Sequence, residues 1–430
     1  MARLDEQDLD EKRLERRQKR KKAELAAYIT LVVLVILIAG IAVASVYLVS
    51  GVILNRSDKA AAQASEEISE EAEEAAVIES PEEETVVEEY TEEDMLDEIV
   101  GTVLSEMSVE DKVAGLFIVT PEQLTGVETA VKAGAGTQEA LTSYAVGGIT
   151  YSPKNIKSGE QISSMLGTTV SMSKYPLFTV MSSQSMESDQ VREVIGITDE
   201  TEITDAESAF EAGTAEGTAL FKYGFNFAVA PLVDLSESGP YGTEPDKVKE
   251  ITNSFAEGLK GSGVLACAYS FPMNGDSLTG MATNDKERDD IVVNEFEAFK
   301  AAFDSGNLQA VMVSNVSVPS LSGDNTPSSV SEKVITDELR GTLGFDGIII
   351  TSAFTDGAIT EYYTSGEAAV EAIKAGADMV YIPENFSEAY EGVLAAVQSG
   401  SVSEARIDES LKRIFRVKYS DKVDQISQGN

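Results

Sequence analysis

The sequence predicts an α/β protein: a closed (β/α)8 barrel of the TIM type, preceded by a single transmembrane helix and an acidic, disordered linker. Three observations carry this expectation. Short β-branched runs recur from about Met95 to Ser420, most of them about 30 to 45 residues apart with a helix-like segment between, which is the beat of βα units in a parallel sheet. Residues 25–54 form an apolar stretch with no charge. Between the two, the composition shifts to Glu, Ala, Ser and Val.

Taken in order, residues 1–24 read as a basic cytoplasmic tail. Lys12 to Lys22 carries eight basic residues against Glu15 alone. Residues 25–54 exceed the roughly 20 apolar residues needed to span a bilayer and read as an uncleaved membrane anchor; a signal peptide has a shorter apolar core of about 7 to 15 residues. The basic N-terminal flank leaves the tail inside and everything after Leu54 outside. The expected location is therefore the plasma membrane, single-pass, with the barrel extracytoplasmic. Residues 55–98 hold only Arg56 and Lys59 against runs such as Glu82-Glu83-Glu84. Such a stretch buries too little to fold and repels itself, so it is expected to act as an extended spacer. The barrel then occupies 99–420, with a short tail at 421–430.

Eight strands are expected within the barrel: Leu116–Val119, Gly148–Tyr151, Leu177–Met181, Phe225–Ala230, Val264–Tyr269, Ala310–Ser314, Gly347–Thr351 and Met379–Ile382. Late in the chain, Tyr390, Leu394 and Val397 fall on one helical stripe ending at Gly400, which suits a C-cap. Ser401 with Glu404 is expected to form a capping box for a last helix that turns Ile407, Leu411, Ile414 and Phe415 inward. A doubly wound open sheet is the structural alternative. No strand is followed by a Gly-x-Gly-x-x-Gly turn or a Walker loop, which weakens its nucleotide-binding form.

Composition narrows the chemistry. With 74 acidic against 33 basic residues the net charge is -41, which excludes nucleic acid as a partner of the whole molecule. The chain has no histidine, hence no imidazole base, no Ser-His-Asp triad and no imidazole-held metal. Its single cysteine, Cys267, falls in a strand run and reads as a small core residue. No cofactor and no metal is expected. In a TIM barrel the chemistry sits at the C-terminal strand ends, where this sequence places Ser182-Ser183-Gln184, Asp234, Ser270, Asn315, Ser352 and Pro383-Glu384. Hydroxyls and amides dominate, and an Asp such as Asp234 directly after an apolar strand often caps a loop.

From Ser108 to Lys418 the chain resembles the N-terminal barrel of glycoside hydrolase family 3, in particular its bacterial β-N-acetylhexosaminidase branch. The resemblance rests on pieces arriving in order: Val146-Gly147-Gly148-Ile149, Asn155-Ile156 with Glu160-Gln161, Pro176-Leu177-Phe178, and Ala230-Pro231-Leu232-Val233-Asp234. Phe271-Pro272 with Gly275-Asp276, Pro327-Ser328-Ser329 with Ser331, Leu343-Gly344-Phe345-Asp346-Gly347 and Ala375-Gly376-Ala377-Asp378 follow.

The resemblance implies catalytic residues that this sequence does not carry. The family's aspartate nucleophile follows the seventh strand in a Thr-Asp pattern; here Thr351 is followed by Ser352. The Lys-His-Phe-Pro-Gly-His-Gly run after strand five corresponds to Tyr269, Ser270, Phe271, Pro272, Met273, Asn274 and Gly275. The Asp-Ser-His that supplies the acid/base is met by Gly280-Met281-Ala282, and the sugar-binding Asp and Glu-Gly-Gly of strand three by Ser182 and Gln184-Ser185-Met186. The Arg-Ser-Phe-Gly turn is reduced to Gly239-Pro240-Tyr241-Gly242. A serine hydroxyl without a base is no nucleophile at neutral pH.

The expectation is therefore a catalytically degenerate homologue whose partner is a cell-wall glycan or an envelope protein, with no residue assigned as catalytic. Asp234, Ser270, Asn274, Asp276, Asn315 and Ser352 are the candidate binding residues, and Tyr241, Tyr269, Tyr362 and Tyr363 the available sugar-stacking rings. The rival is an active glycosidase that recruits two of Asp234, Asp276, Asp356, Glu361 and Glu384, because glycoside hydrolysis ordinarily needs a pair of carboxyl groups flanking the bond.

Overall fold

The structure is a computed structural model that describes residues 91–197, 203–237, 239–274 and 280–428, with side chains to residue 420. The expected cytoplasmic tail at 1–24, the expected membrane helix at 25–54, the expected linker as far as residue 90, and Asp276 lie outside the described residues. Among the described residues no helix is long and apolar enough to cross a membrane.

Eight parallel strands form the sheet: β1 Phe117–Val119, β2 Gly148–Tyr151, β3 Phe178–Met181, β4 Phe227–Ala228, β5 Leu265–Phe271, β6 Ala310–Val313, β7 Ile348–Thr351 and β8 Val380–Tyr381. They follow one another in sequence order around the ring, with β8 beside β1. Parallel bridges from Ile350 to Met379 and from Phe354 to Pro383 bring β7 against β8 and close the barrel. All eight expected runs carry a strand, and the pairing of β8 with β1 together with the β7–β8 bridges excludes the open-sheet alternative. Several strands are shorter than their apolar runs, because residues such as Phe225 and Val229 are buried beyond the ends of the ladder. The helices between the strands form the outer layer. Cys267 is fully buried on β5.

Glycine is required where backbones meet. A Cβ on Gly147, at the entry to β2, would lie 2.1 Å from the Gly115 carbonyl oxygen. Gly376 ends the Ser365–Ala375 helix with φ 114°, a conformation that a side chain disfavours.

Three local expectations are corrected. The first described helix, Glu92–Glu106, takes in residues assigned to the linker; Thr91 and Asp94 form a capping box, Val100 is buried, and Asp97 pairs with Arg416 of the last helix. That helix, Glu404–Gln428, runs through most of the expected tail. Its cap is Ser403, whose hydroxyl accepts from the Arg406 N–H at 3.1 Å, whereas Ser401 donates to the Ala396 carbonyl at 3.2 Å. Gly400 is the C-cap of Phe386–Ser399, and Ile407, Leu411, Ile414 and Phe415 are buried.

The N-terminal end of the barrel is tied together by Asp378, which has no exposed surface. Its carboxylate accepts from Arg340 at 2.6 Å, from the Ile349 N–H of β7 at 2.9 Å, and from Ser410 and Arg413 of the last helix at 2.7 and 3.2 Å. Arg340 also donates to the carbonyls of Phe345 and Gly347 at 2.6 and 2.7 Å. Arg406 donates to Ala377 at 2.8 Å. Asp378→Ala should lower stability by about 3–5 kcal/mol, because it leaves buried guanidinium groups without their counter-charge. Denaturant melts of wild type and variant measure this; a loss below 1 kcal/mol would mean that the network is not needed for closure.

Candidate functional site

At the opposite end, the rims of β5, β6 and β7 stand side by side. Between β5 and β6 the register slips: Tyr269 pairs with Met312 and Phe271 with Val313. Ser270 is therefore the extra, bulged residue, a device that re-aims side chains near functional sites. The Ser314 N–H donates to the Phe271 carbonyl and the Ser352 N–H to the Val313 carbonyl, each at 2.8 Å, which keeps the three strand ends level. Ser270, Asn315 and Ser352 are thus brought together, and all are buried.

Their hydrogen bonding is unequal. Asn315 donates to the Ala353 carbonyl and to Asp356 Oδ2, both at 2.9 Å, and accepts from the Ser329 hydroxyl at 2.6 Å. The hydroxyls of Ser314, Ser317 and Ser352 are buried and have no hydrogen-bond partner among the described residues. An unmade buried hydrogen bond costs about 1–3 kcal/mol; elsewhere among the described residues Tyr151, Thr214 and Thr252 also bury hydroxyls without a partner.

Asp356 is half-buried at the start of the Gly357–Thr360 turn. Burial raises its carboxyl above the ordinary range, and the Asn315 amide opposes that rise. Glu361 accepts from the Gly280 N–H at 3.0 Å, and Glu384 is exposed.

On the β3–β5 side, Ser182 and Ser185 donate to the Tyr151 carbonyl at 3.2 and 2.9 Å. The Tyr269 hydroxyl donates to Glu187 at 3.0 Å. Asp234 closes its own turn, accepting from the Ser236 N–H at 2.9 Å and from its hydroxyl at 3.0 Å; the loop-capping role of such an aspartate is what the structure displays. Asn274 lies 3.5 Å from Asp234. These two residues are not joined to the β5–β7 group. They line a different cavity of about 360 Å³ with Asn284, Lys286 and Glu295. Asp276 lies outside the described residues and its placement is not assigned.

Several residues at these places carried no sequence signal of function. Glu295 is buried and pairs with Lys286, yet it reads as an ordinary helix residue. Glu187 reads as surface. Ser329, within the quoted Pro327-Ser328-Ser329 piece, was findable as a rim residue. Of the four tyrosines, Tyr241 is buried and unsuited to stacking, Tyr269 and Tyr363 are half-buried, and Tyr362 is exposed. Among the described residues no group of three or more carboxylates or thiols converges as a metal site.

Comparison with known proteins follows the same architecture. The profile of the family described as "Glycosyl hydrolase family 3 N terminal domain" matches residues 108–417. A β-N-acetylglucosaminidase/β-glucosidase of Cellulomonas fimi is 25% identical over 230 residues, which is 49% of this chain and 41% of that protein. A β-hexosaminidase of Methylobacillus flagellatus is 25% identical over 60% of this chain and 80% of its own length. Among solved structures, a glycoside hydrolase family 3 β-N-acetylglucosaminidase from Paenibacillus superposes with a TM-score of 0.67 at 27% identity, covering 74% of this chain and 63% of that one. A β-N-acetylhexosaminidase from Beutenbergia cavernae shares the fold at a TM-score of 0.64, with 23% identity, 73% of this chain and 99% of that chain covered. The chain thus spans less than two thirds of the Cellulomonas and Paenibacillus proteins.

The half-buried Asp356–Asn315 contact makes a testable statement. Because the folded carboxyl titrates above its unfolded value, the native state holds a proton that the unfolded chain has lost, and Asp356 subtracts stability as pH rises through that range. Asp356→Asn keeps an acceptor for Asn315 and removes the charge. The variant should match wild type at acid pH and become the more stable of the two toward neutrality, as read from denaturant midpoints across pH. Parallel pH curves would exclude a raised Asp356.

Proposed function

Since the chain belongs to glycosyl hydrolase family 3 through its N-terminal-type barrel, we propose that it is a membrane-anchored, extracytoplasmic and catalytically degenerate member that binds cell-envelope glycan. The observation that carries this reading is Ser352: the rim position that in the family resemblance belongs to the carboxylate nucleophile holds an uncharged hydroxyl that has no hydrogen-bond partner among the described residues. Ser cannot form the glycosyl intermediate under those conditions.

The carboxyl groups near the rim support the same conclusion, because most are engaged elsewhere. Asp356 bonds the Asn315 amide, Glu361 a backbone N–H, Asp234 its own turn and Glu187 the Tyr269 hydroxyl. Catalysis would need two carboxyl groups about 5–5.5 Å or 6.5–9.5 Å apart across the sugar. Among the described residues the rim also holds the unpartnered hydroxyls of Ser314, Ser317 and Ser352; they are buried, so a ligand rich in hydroxyls and amides reaches them only when the rim opens. The second reading, an active β-N-acetylhexosaminidase-like enzyme, rests on Glu384, which stands exposed after β8.

The detergent-solubilised full-length protein should show no turnover of an aryl N-acetylglucosaminide above background while binding cell-wall glycan fragments in calorimetry. Ser352→Ala should leave the melting temperature unchanged or raise it, since it removes a buried hydroxyl that makes no internal hydrogen bond. It should weaken glycan binding by roughly 3- to 10-fold, the worth of one hydrogen bond of about 1 kcal/mol. Turnover that disappears in Glu384→Gln would establish the enzyme reading instead. Absence of both binding and turnover would favour a protein partner.

Topology is tested separately. The protein should fractionate with membranes, and protease added outside wall-stripped cells should release a fragment starting within residues 55–98. A full-length cytoplasmic protein would refute the anchor.

A further inference from the structure

Successive side chains of β2 point to opposite faces. Thr150 faces into the barrel, where its hydroxyl meets that of Tyr381 on β8, across β1, at 2.9 Å. Ile149 and Tyr151 therefore face outward, and together with Met165 and Thr169 of the Gly159–Met172 helix they line a cavity of about 310 Å³. Its other walls are largely apolar, with Leu124 and Ala130 among them. Val127 and Val131 line it too and reach the surface, 47% and 36% exposed. Among the described residues Lys132 alone brings charge to the lining, and it is exposed.

The segment that covers this space is held in place by side chains. Glu122 accepts from the Ala130 N–H at 2.8 Å and from the Asn155 amide at 2.6 Å. Asn155, which has no exposed surface, also donates to the Ala130 carbonyl at 2.9 Å, and Gln161 donates to the Val131 carbonyl at 2.7 Å. Asn155 and Gln161 belong to the Asn155-Ile156 and Glu160-Gln161 pieces, and this is what they do in the fold. The lining hydroxyls divide sharply. Thr125 donates to the Pro121 carbonyl at 2.6 Å and Thr169 to the Met165 carbonyl at 2.8 Å, while Thr137 accepts from the Gly134 N–H at 3.2 Å. The Tyr151 hydroxyl, on a residue with no exposed surface, has no hydrogen-bond partner among the described residues. Thr169 faces it but has spent its own proton. Burial pushes the Tyr151 phenol up, so it stays a neutral donor.

We propose that this cavity binds a small neutral molecule with a one- or two-ring apolar body and a single acceptor oxygen, the ring against Ile149 and Met165 and the oxygen on the Tyr151 hydroxyl. Protein interiors leave few voids larger than a water molecule, and an apolar cavity of about 150 Å³ already takes up benzene. The space beside β2 is about twice that size and opens between two exposed valines. An apolar body suits its walls, and one acceptor answers the one buried donor left unpaired. A sugar would bring more hydroxyls than these walls can satisfy, and the cavity lies outside the ring of strands, so the site is separate from the glycan reading and stands or falls without it.

The test is a ligand-observed NMR titration of the detergent-solubilised full chain with acetophenone and, in a second arm, with α-methylstyrene, which has the same shape with a methylene in place of the oxygen. All variants are compared at one detergent concentration, so that uptake by detergent is common to them. Saturable binding of both is expected, the ketone roughly 3- to 10-fold tighter, the worth of one hydrogen bond. Tyr151→Phe keeps the ring and removes the donor; it should bind the two probes equally, with a melting temperature unchanged or raised. Thr169→Leu fills the cavity and should weaken both probes at least 10-fold, with thermal melting as the control for folding. Three results overturn the proposal: no saturable acetophenone binding in the millimolar range, equal affinity of the wild type for both probes, or a ketone preference that survives in Tyr151→Phe.

Discussion

A carboxylate without any exposed surface holds the ends of this barrel together. Asp378 sits just ahead of β8 and accepts from the backbone of β7, from Arg340 after β6, and from Ser410 and Arg413 on the last helix. Burying a single carboxylate costs several kcal/mol, and the cost is offset only when its lone pairs are filled with good geometry. Here four donors fill them. The consequence reaches beyond the pair, because β8 is only two residues long and meets β7 through isolated bridges rather than a continuous ladder. Closure at the weakest seam of the ring is therefore secured by side chains.

The two ends of the barrel are built on opposite terms. At the N-terminal end, Arg340, Arg406 and Ser410 bond to named carbonyls and to Asp378. At the C-terminal rim, Ser314, Ser317 and Ser352 keep hydroxyls with no partner, and Ser270 occupies a bulge that breaks the β5–β6 register. Sequences satisfy their local rules where they fold and depart from them where they bind. The C-terminal rim is the end at which function is generally placed in this fold.

How much of this the sequence discloses depends on the range of the forces involved. Apolar runs announce strands because burial is a property of each residue, so all eight strands were legible. Helix caps were read less well. Ser401 and Ser403 carry the same hydroxyl two residues apart, and only the path of the chain after Gly400 decides which reaches the Arg406 N–H. Glu92 to Glu98 looked too acidic to fold because their partner, Arg416, is remote in sequence. The site was half legible for the same reason. Ser270, Asn315 and Ser352 meet because they end neighbouring strands, which topology predicts. Asp234 and Asn274 turn instead toward Glu295 and Lys286, and no spacing in the sequence encodes that.

The separation of the two ends also explains how a barrel of this family can exchange its rim residues and persist as a fold. Substitutions more than about 7–10 Å apart with no shared partner act nearly independently on stability, and the Asp378 network shares no side chain with the β5–β7 rim. A carboxylate at the position of Ser352 would add another charge to desolvate in a region where Asp356 is already pushed upward by burial; a hydroxyl avoids that cost. On the proposed reading, loss of the nucleophile relieved the rim while closure at Asp378 was untouched. On that reading the fold persists because the residues that close the barrel and the residues that would have reacted at its rim draw on different parts of the structure.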